Sequence, residues 1–329
     1  MREIAAPTRA QFEGEVLTRY EPAILRGLVA TWPAVRAGRE SPEAFAAYLS
    51  RFASAAPVDA LTIPSQAEGR VFYNDDLTGF NYTRDAMPIG AVSDRVLRNA
   101  RFANKPTVVA QSALIAECLP GFERDNPLAV LPAEVAPRIW LGGAVVTPAH
   151  FDESRNVACV VAGRRRFTLF PPEQVANLYI GPIGHAPTGT PISLVDFARV
   201  DEARFPRFRE ALAHAQVADL APGDAIYIPP LWWHHVRSLD RYNALVNYWW
   251  KDAVVQDRSA LDGLLHSLLT VGALPDDVRA AWAAMYAHFV FGDRDAAAGH
   301  IPVARRGVLA PMSPELARQV KDFLRGKLG

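Results

Sequence analysis

His150 and Asp152 stand one residue apart in TPAHFDES (147–154), and far downstream PGDAIYIPPLWWHHV (222–236) carries a histidine pair, His234 and His235. Residues two apart on a β-strand point to the same side, so an imidazole and a carboxylate would share one face. A second imidazole supplied by the distant strand completes a set of two histidines and one carboxylate. Three such ligands on one side of an octahedral metal leave the opposite side open, which suits non-haem Fe(II) and oxygen chemistry. Strand alternation lets only one of His234 and His235 face the ion. An H-x-D alone is common by chance and equally describes an aspartate bonded beside a surface histidine. The later histidine, following a strand and a tryptophan pair, gives the pattern its weight.

Short apolar runs separated by turn signals would position these groups. GRVFYNDD, KPTVVAQ, RIWLGGAVVT, NVACVVAG, RRRFTLFPP and APGDAIYIPP follow one another between residues 57 and 250. Short strands punctuated by Gly, Pro and Asp argue for an all-β sandwich or barrel core. Helices are expected at 171–178 (PPEQVANL) and 202–215 (EARFPRFREALAHA). Before the β region, ESPEAFAAYLSRF (40–52) offers Ser41 as N-cap, Pro42 at the first helical position, and Phe45, Tyr48 and Leu49 at helical spacing. After it, Leu261, Leu264, Leu265, Leu268 and Leu269 form an i, i+3, i+4 stripe, followed by Val278, Trp282, Met285 and Phe289. A last helix starts at Ser313 and Pro314. Apolar faces this wide must be covered, either by the barrel of the same chain or by a second copy in a dimer.

The ordered stretches TPAHFDESRNVACVVAGRRRFTLFPPEQ, PGDAIYIPPLWWHHVRSL and NALVNYWWK resemble the JmjC/cupin-like 2-oxoglutarate oxygenases. Within that family the resemblance is closest to the asparaginyl-hydroxylase type known as factor inhibiting HIF. It covers residues 100–252, and EPAILRGLVATWPAV (21–35) is similar to the opening of this group. The resemblance implies a mainly β fold, a double-stranded β-helix (jelly-roll) core with flanking N-terminal helices. Residues 1–252 would form the JmjC/cupin-like domain, and 253–329 remain a C-terminal helical region that either packs on the barrel or pairs with a second copy. It further implies Fe(II) bound by His150, Asp152 and His234, with His235 turned away. Thr147, Asn156, Asn247, Trp249 and, by a looser match, Gln111 would lie beside 2-oxoglutarate. The implied reaction consumes 2-oxoglutarate and dioxygen, yields succinate and carbon dioxide, and hydroxylates a protein or peptide side chain.

Two of these positions also speak for themselves. The neighbours of Asn247 in ALVNYWW are apolar on both faces, so its amide is expected to be buried and in need of partners. In RRRFTLF, alternation puts Arg165 with Phe167 and Leu169, and Arg164 and Arg166 on the opposite face. A cation on the apolar side is costly unless an anion pairs with it. The resembled hydroxylase has a lysine at Arg165, binding the distal carboxylate of 2-oxoglutarate. A guanidinium can fork onto a carboxylate, so the exchange either keeps that role or signals another anion. A tyrosine that would offer its hydroxyl is replaced by Val109, leaving that contact absent or supplied by Tyr73 or Asn74.

Composition narrows the partners. Lys plus Arg and Asp plus Glu are each 35 in 329 residues, which gives no basic footprint for nucleic acid or acidic lipid. Two cysteines, Cys118 and Cys159, make neither a disulfide framework nor a four-cysteine zinc site. The first residues lack an apolar signal core, and no run approaches the roughly 18 apolar residues of a spanning helix. The expectation is a cytoplasmic protein without membrane or nucleic-acid partners. Two other functions fit the residues: a cupin-type metal-binding protein or metalloenzyme that does not use 2-oxoglutarate, and a noncatalytic binding module. Hydroxylation, demethylation and oxidation of a small-molecule substrate share the same iron chemistry, so the motifs do not name the substrate.

Overall fold

The computed structural model describes residues 1–102, 104–251 and 259–328. Thirteen strands are described. The first five are β1 (Arg2–Ala5), β2 (Ala23–Arg26), β3 (Pro57–Ile63), β4 (Thr83–Pro88) and β5 (Thr107–Leu114). Next come β6 (Pro137–Gly142), β7 (Val146–His150), β8 (Arg155–Ala162) and β9 (Arg165–Phe170). The last four are β10 (Gln216–Leu220), β11 (Ala225–Ile228), β12 (Trp233–Ser238) and β13 (Asn243–Trp250). Nine form a large sheet in the order β1-β2-β11-β8-β13-β6-β5-β3-β4, and four form a small sheet in the order β10-β9-β12-β7. All pairings are antiparallel except β1 with β2.

The strand sequences explain the layering. NVACVVA is apolar at every position because β8 is covered on both sides. Ala158 and Val160 join Phe167 and Leu169 of the small sheet in one buried cluster, while Val157, Cys159 and Val161 pack outward against N-terminal helices. Two antiparallel sheets sharing an apolar interior are consistent with a jelly-roll core. The outer face of the large sheet is closed by helices Pro33–Glu40, Pro42–Ser50 and Ile89–Ala100. Ser41 caps the second as its sequence predicts, its hydroxyl accepting from Ala44 N at 3.0 Å. Gly38 lets the first helix touch β8, since a Cβ there would lie 2.0 Å from the Val161 carbonyl oxygen. Gly163 turns β8 into β9 at φ +66, where a Cβ would meet Asn243 Oδ1 at 2.4 Å.

Residues 171–178 form the short helix expected there, Pro172–Asn177, of 3-10 type. Two other predicted elements come out differently. The helix expected over 202–215 is confined to Phe208–Ala213. Pro206 disfavours helical backbone before it, and Asp201 Oδ1 instead accepts from Ala203 N and Arg204 N in a separate turn. GRVFYNDD contributes only isolated bridges, because Asn74 and Asp76 fold the next residues back through bonds to Gly79 N and Thr78 N.

The chain divides into two compact units, Met1–Trp250 and Lys251–Gly329. The boundary expected between 252 and 253 lies outside the described residues. In the second unit, Ala260–Thr270 and Asp276–Phe289 are helices whose leucine and aromatic stripes are exposed, including Leu264, Leu268, Trp282 and Phe289. No helix of the described residues is long and apolar enough to cross a membrane.

Candidate metal centre

His150 ends β7 and His234 opens β12, and the two are direct partners across the small sheet, with ring centroids 4.2 Å apart. The register slips between His234 and Val236, where β7 accommodates an extra residue around Pro148. Proline cannot donate to the ladder, so a bulge there is expected, and it aims His150 and Thr147 into the same interior. Asp152 lies just past the end of β7, its Oδ2 3.7 Å from His234 Nε2. One ligand atom from each of His150, Asp152 and His234 lies within 4.8 Å of the others. Two imidazoles and a carboxylate so arranged fit a divalent ion.

The imidazoles are already oriented for that task. His150 Nδ1 is 2.9 Å from Pro148 O and His234 Nδ1 is 3.0 Å from Trp232 O. A carbonyl only accepts, so each Nδ1 carries the proton and each Nε2 offers its lone pair to the site. Burial, reinforced by the neighbouring His234, pushes His150 down to about 4, which keeps it a neutral ligand at physiological pH. His235, on the alternate face, stacks on Phe197 with centroids 4.3 Å apart and takes no part in the cluster.

These ligands open into a cavity of about 940 Å³ that is also lined by Gln111, Thr147, Asn156, Arg165, Asn247 and Trp249. All nine residues expected at the site therefore share one space. Arg165 is 8% exposed, and its Nε is buried without a hydrogen-bond partner among the described residues. Its flanking arginines face outward and are paired: Arg164 Nη2 with Asp240 Oδ1 at 2.9 Å and Arg166 Nη2 with Asp219 Oδ2 at 2.7 Å. Burial alone lowers the Arg165 guanidinium to about 10, so it remains a cation at neutral pH. Within the domain it meets no carboxylate among the described residues, and a cavity-bound anion fits its requirement.

The two asparagine amides of the cavity are linked to each other and to Asp152. Asn247 Nδ2 donates to Asn156 Oδ1 at 2.8 Å, and Asn156 Nδ2 donates to Asp152 Oδ2 at 3.2 Å. Trp249 Nε1 donates to the same Asp152 oxygen at 2.9 Å. Asn247 Oδ1 is left buried without a donor. Val109 packs among Leu61, Ile63, Val71 and Val145, and the suggested substitutes are occupied elsewhere. Tyr73 donates its hydroxyl to His185 O at 2.6 Å, and Asn74 serves its own turn. Neither lines the cavity.

A cupin-like domain profile matches residues 9–255. The chain belongs to this cupin-like family. Human HSPB1-associated protein 1 is 33% identical over 147 residues, 43% of this chain and 30% of that protein. Jumonji C domain-containing protein 5 of Drosophila melanogaster is 26% identical over 268 residues, covering 76% of this chain and 59% of that protein. Lysine-specific demethylase JMJ31 of Arabidopsis thaliana is 35% identical over 114 residues, 34% of this chain and 20% of that protein. The chain thus spans between a fifth and three fifths of these relatives' lengths.

In this cupin-like domain, part of the cavity wall comes from YNDDLTGFNY (73–82) and GHAPTGTPISLVDF (184–197), loops whose polar and aromatic residues the sequence offers as a candidate frame for an entrance. Phe80 is stacked between Tyr82, at 5.3 Å and 3°, and His185, at 4.7 Å and 14°. Those rings, Trp140 of β6, and the segment from Ile183 to Gly189 line the cavity. Apart from Trp140 they come from loops, where no periodicity marks them.

Proposed function

We propose that this chain is an Fe(II)- and 2-oxoglutarate-dependent oxygenase built on a double-stranded β-helix, and that it hydroxylates a protein or peptide side chain in the cytoplasm. One observation carries the reading. The His150, Asp152 and His234 cluster shares its cavity with Arg165, a buried cation that forms no ion pair among the described residues. Iron and 2-oxoglutarate, when bound, supply oxidation of a C–H bond by dioxygen, with release of succinate and carbon dioxide.

The chain's own residues have four tasks. His150 and His234, through Nε2 atoms already freed by the Nδ1 bonds, and Asp152, through its carboxylate, hold the ion from one side. Arg165 neutralises the far end of a dicarboxylate; with one carboxylate ligand on a divalent ion, the two positive charges match a dianion. Thr147 and Gln111 offer polar groups to the same ligand from the cavity wall. The aromatic side chains Phe80, Tyr82 and Trp140 of the cavity wall would pack against the substrate and hold its target carbon near the metal. The relatives named for HSPB1 association and lysine-specific demethylation are compatible with a protein substrate.

Purified protein supplied with Fe(II) should convert 2-oxoglutarate to succinate, and Asp152→Ala should not. Calorimetry on metal-loaded protein should show 2-oxoglutarate binding more tightly than succinate. Metal uptake without any 2-oxoglutarate binding would leave a cupin-type metal protein of other chemistry, and absence of metal uptake would leave a binding module.

A further inference from the structure

The three metal-ligating side chains are not held in the same way. His150 and His234 sit on paired strands of the small sheet, and their rings are held by the carbonyls of Pro148 in β7 and of Trp232 just before β12. Asp152 lies beyond the end of its strand, so no ladder fixes its side chain. Its carboxylate is reached from the opposite sheet. Asn156 of β8 and Trp249 of β13 are direct cross-strand partners, and both aim a donor at Asp152 Oδ2, at 3.2 and 2.9 Å. The Asn156 amide cannot turn over freely, because its oxygen accepts from Asn247 Nδ2 at 2.8 Å. The Trp249 indole is held edge-on to Trp140, with centroids 6.5 Å apart and planes at 71°.

We infer that Trp249 is a positioning residue for the metal ligand Asp152, acting through its indole N–H, with Asn156 as the second donor. The inference rests on the metal-dependent reading above and assigns Trp249 a task different from lining the co-substrate. Two donors on one oxygen fix the carboxylate's rotation before any ion arrives, so the ligand set is preorganised rather than assembled by the metal. A tryptophan that merely filled space would be replaced by phenylalanine without consequence for the ion. Here the ring is dispensable and the N–H is not.

The test is the affinity of the full chain for Mn(II), followed by the electron paramagnetic resonance of the free ion, with no 2-oxoglutarate present. Trp249→Phe should weaken Mn(II) binding about tenfold, the effect typical of losing an outer partner of a metal ligand. The urea unfolding midpoint of the metal-free protein should stay near the parent's. Asn156→Ala removes the other donor and should weaken Mn(II) in the same direction, which keeps the inference testable if Trp249→Phe does not fold. Mn(II) affinities within twofold of the parent for the folded variants would overturn it. So would a Trp249→Phe protein that binds Mn(II) normally and loses only 2-oxoglutarate. A parent that binds Mn(II) alongside unaffected variants would refute this role alone, whereas a parent that binds no divalent ion would refute the oxygenase reading with it.

Discussion

The two faces of the small sheet carry the same residue types and treat them in opposite ways. On the outer face, Arg164 and Arg166 meet Asp240 and Asp219, and His235 stacks on Phe197. On the inner face, one residue along, Arg165 has no ion-pair partner among the described residues, and His150 and His234 converge on Asp152. A folded chain ordinarily satisfies its buried polar groups internally. Where one face does so and the other does not, the unsatisfied face is built for something bound. Charge and imidazole content are alike on both faces, and what separates them is whether the partner belongs to the chain.

Replacing inner and outer residues should expose that division. The largest effect is expected from Asp152→Ala, which should abolish succinate formation, read by coupled assay, and reduce divalent-metal affinity by orders of magnitude. Arg165→Met should weaken 2-oxoglutarate binding by roughly 30- to 100-fold, the worth of a charge-assisted forked bond of about 2–3 kcal/mol. The same substitution should raise the unfolding midpoint of the ligand-free protein, because an uncompensated buried cation is removed. A loss of both stability and affinity would mean that Arg165 serves the fold.

Acid should act on both faces, and metal on one. His150 is lowered to about 4 and His235 to about 3, in each case chiefly by burial, from an ordinary value of 6.5. Both are neutral when folded, while the unfolded chain takes up their protons below about 6.5. Stability is therefore greatest above that pH and is lost as pH falls towards 4, by a few kcal/mol in urea titrations at pH 7 and pH 5. Added Zn(II) should protect at pH 7 and progressively less on acidification, since protons compete for His150; His235→Gln should leave the protection intact. The smallest effect belongs to the outer pairs. Arg166→Ala should cost less than about 1 kcal/mol in the same titrations and leave 2-oxoglutarate affinity unchanged, as exposed ion pairs do.

Much of the site was legible because strand alternation and residue chemistry agree there. Alternation alone separated Arg165 from Arg164 and Arg166, and apolar neighbours alone marked Asn247 as buried. The choice of His234 over His235 came from family resemblance, since alternation demands one of them without saying which. The target of the Trp249 N–H was not legible. Asp152 lies past its strand, and no local rule predicts which donor of the opposite sheet will reach it. Ser41 announced its helix, yet a serine cap and apolar spacing say nothing about whether a face is covered. Phe45 and Leu49 are buried, whereas Leu264 and Leu268 are exposed. The cavity-wall rings Phe80, Tyr82 and His185 arise from loops, where tertiary stacking replaces periodicity.

Gly38 touches no ligand residue, yet its helix rests against the backbone of the strand that bears Asn156. Any larger side chain would drive the helix off the Val161 carbonyl. A random mutant library screened for lost turnover should thus return position 38 alongside His150, Asp152 and His234. Ranking positions by such phenotypes alone would place a spacer among the chemical groups, and only a folding assay run in parallel would tell the two apart.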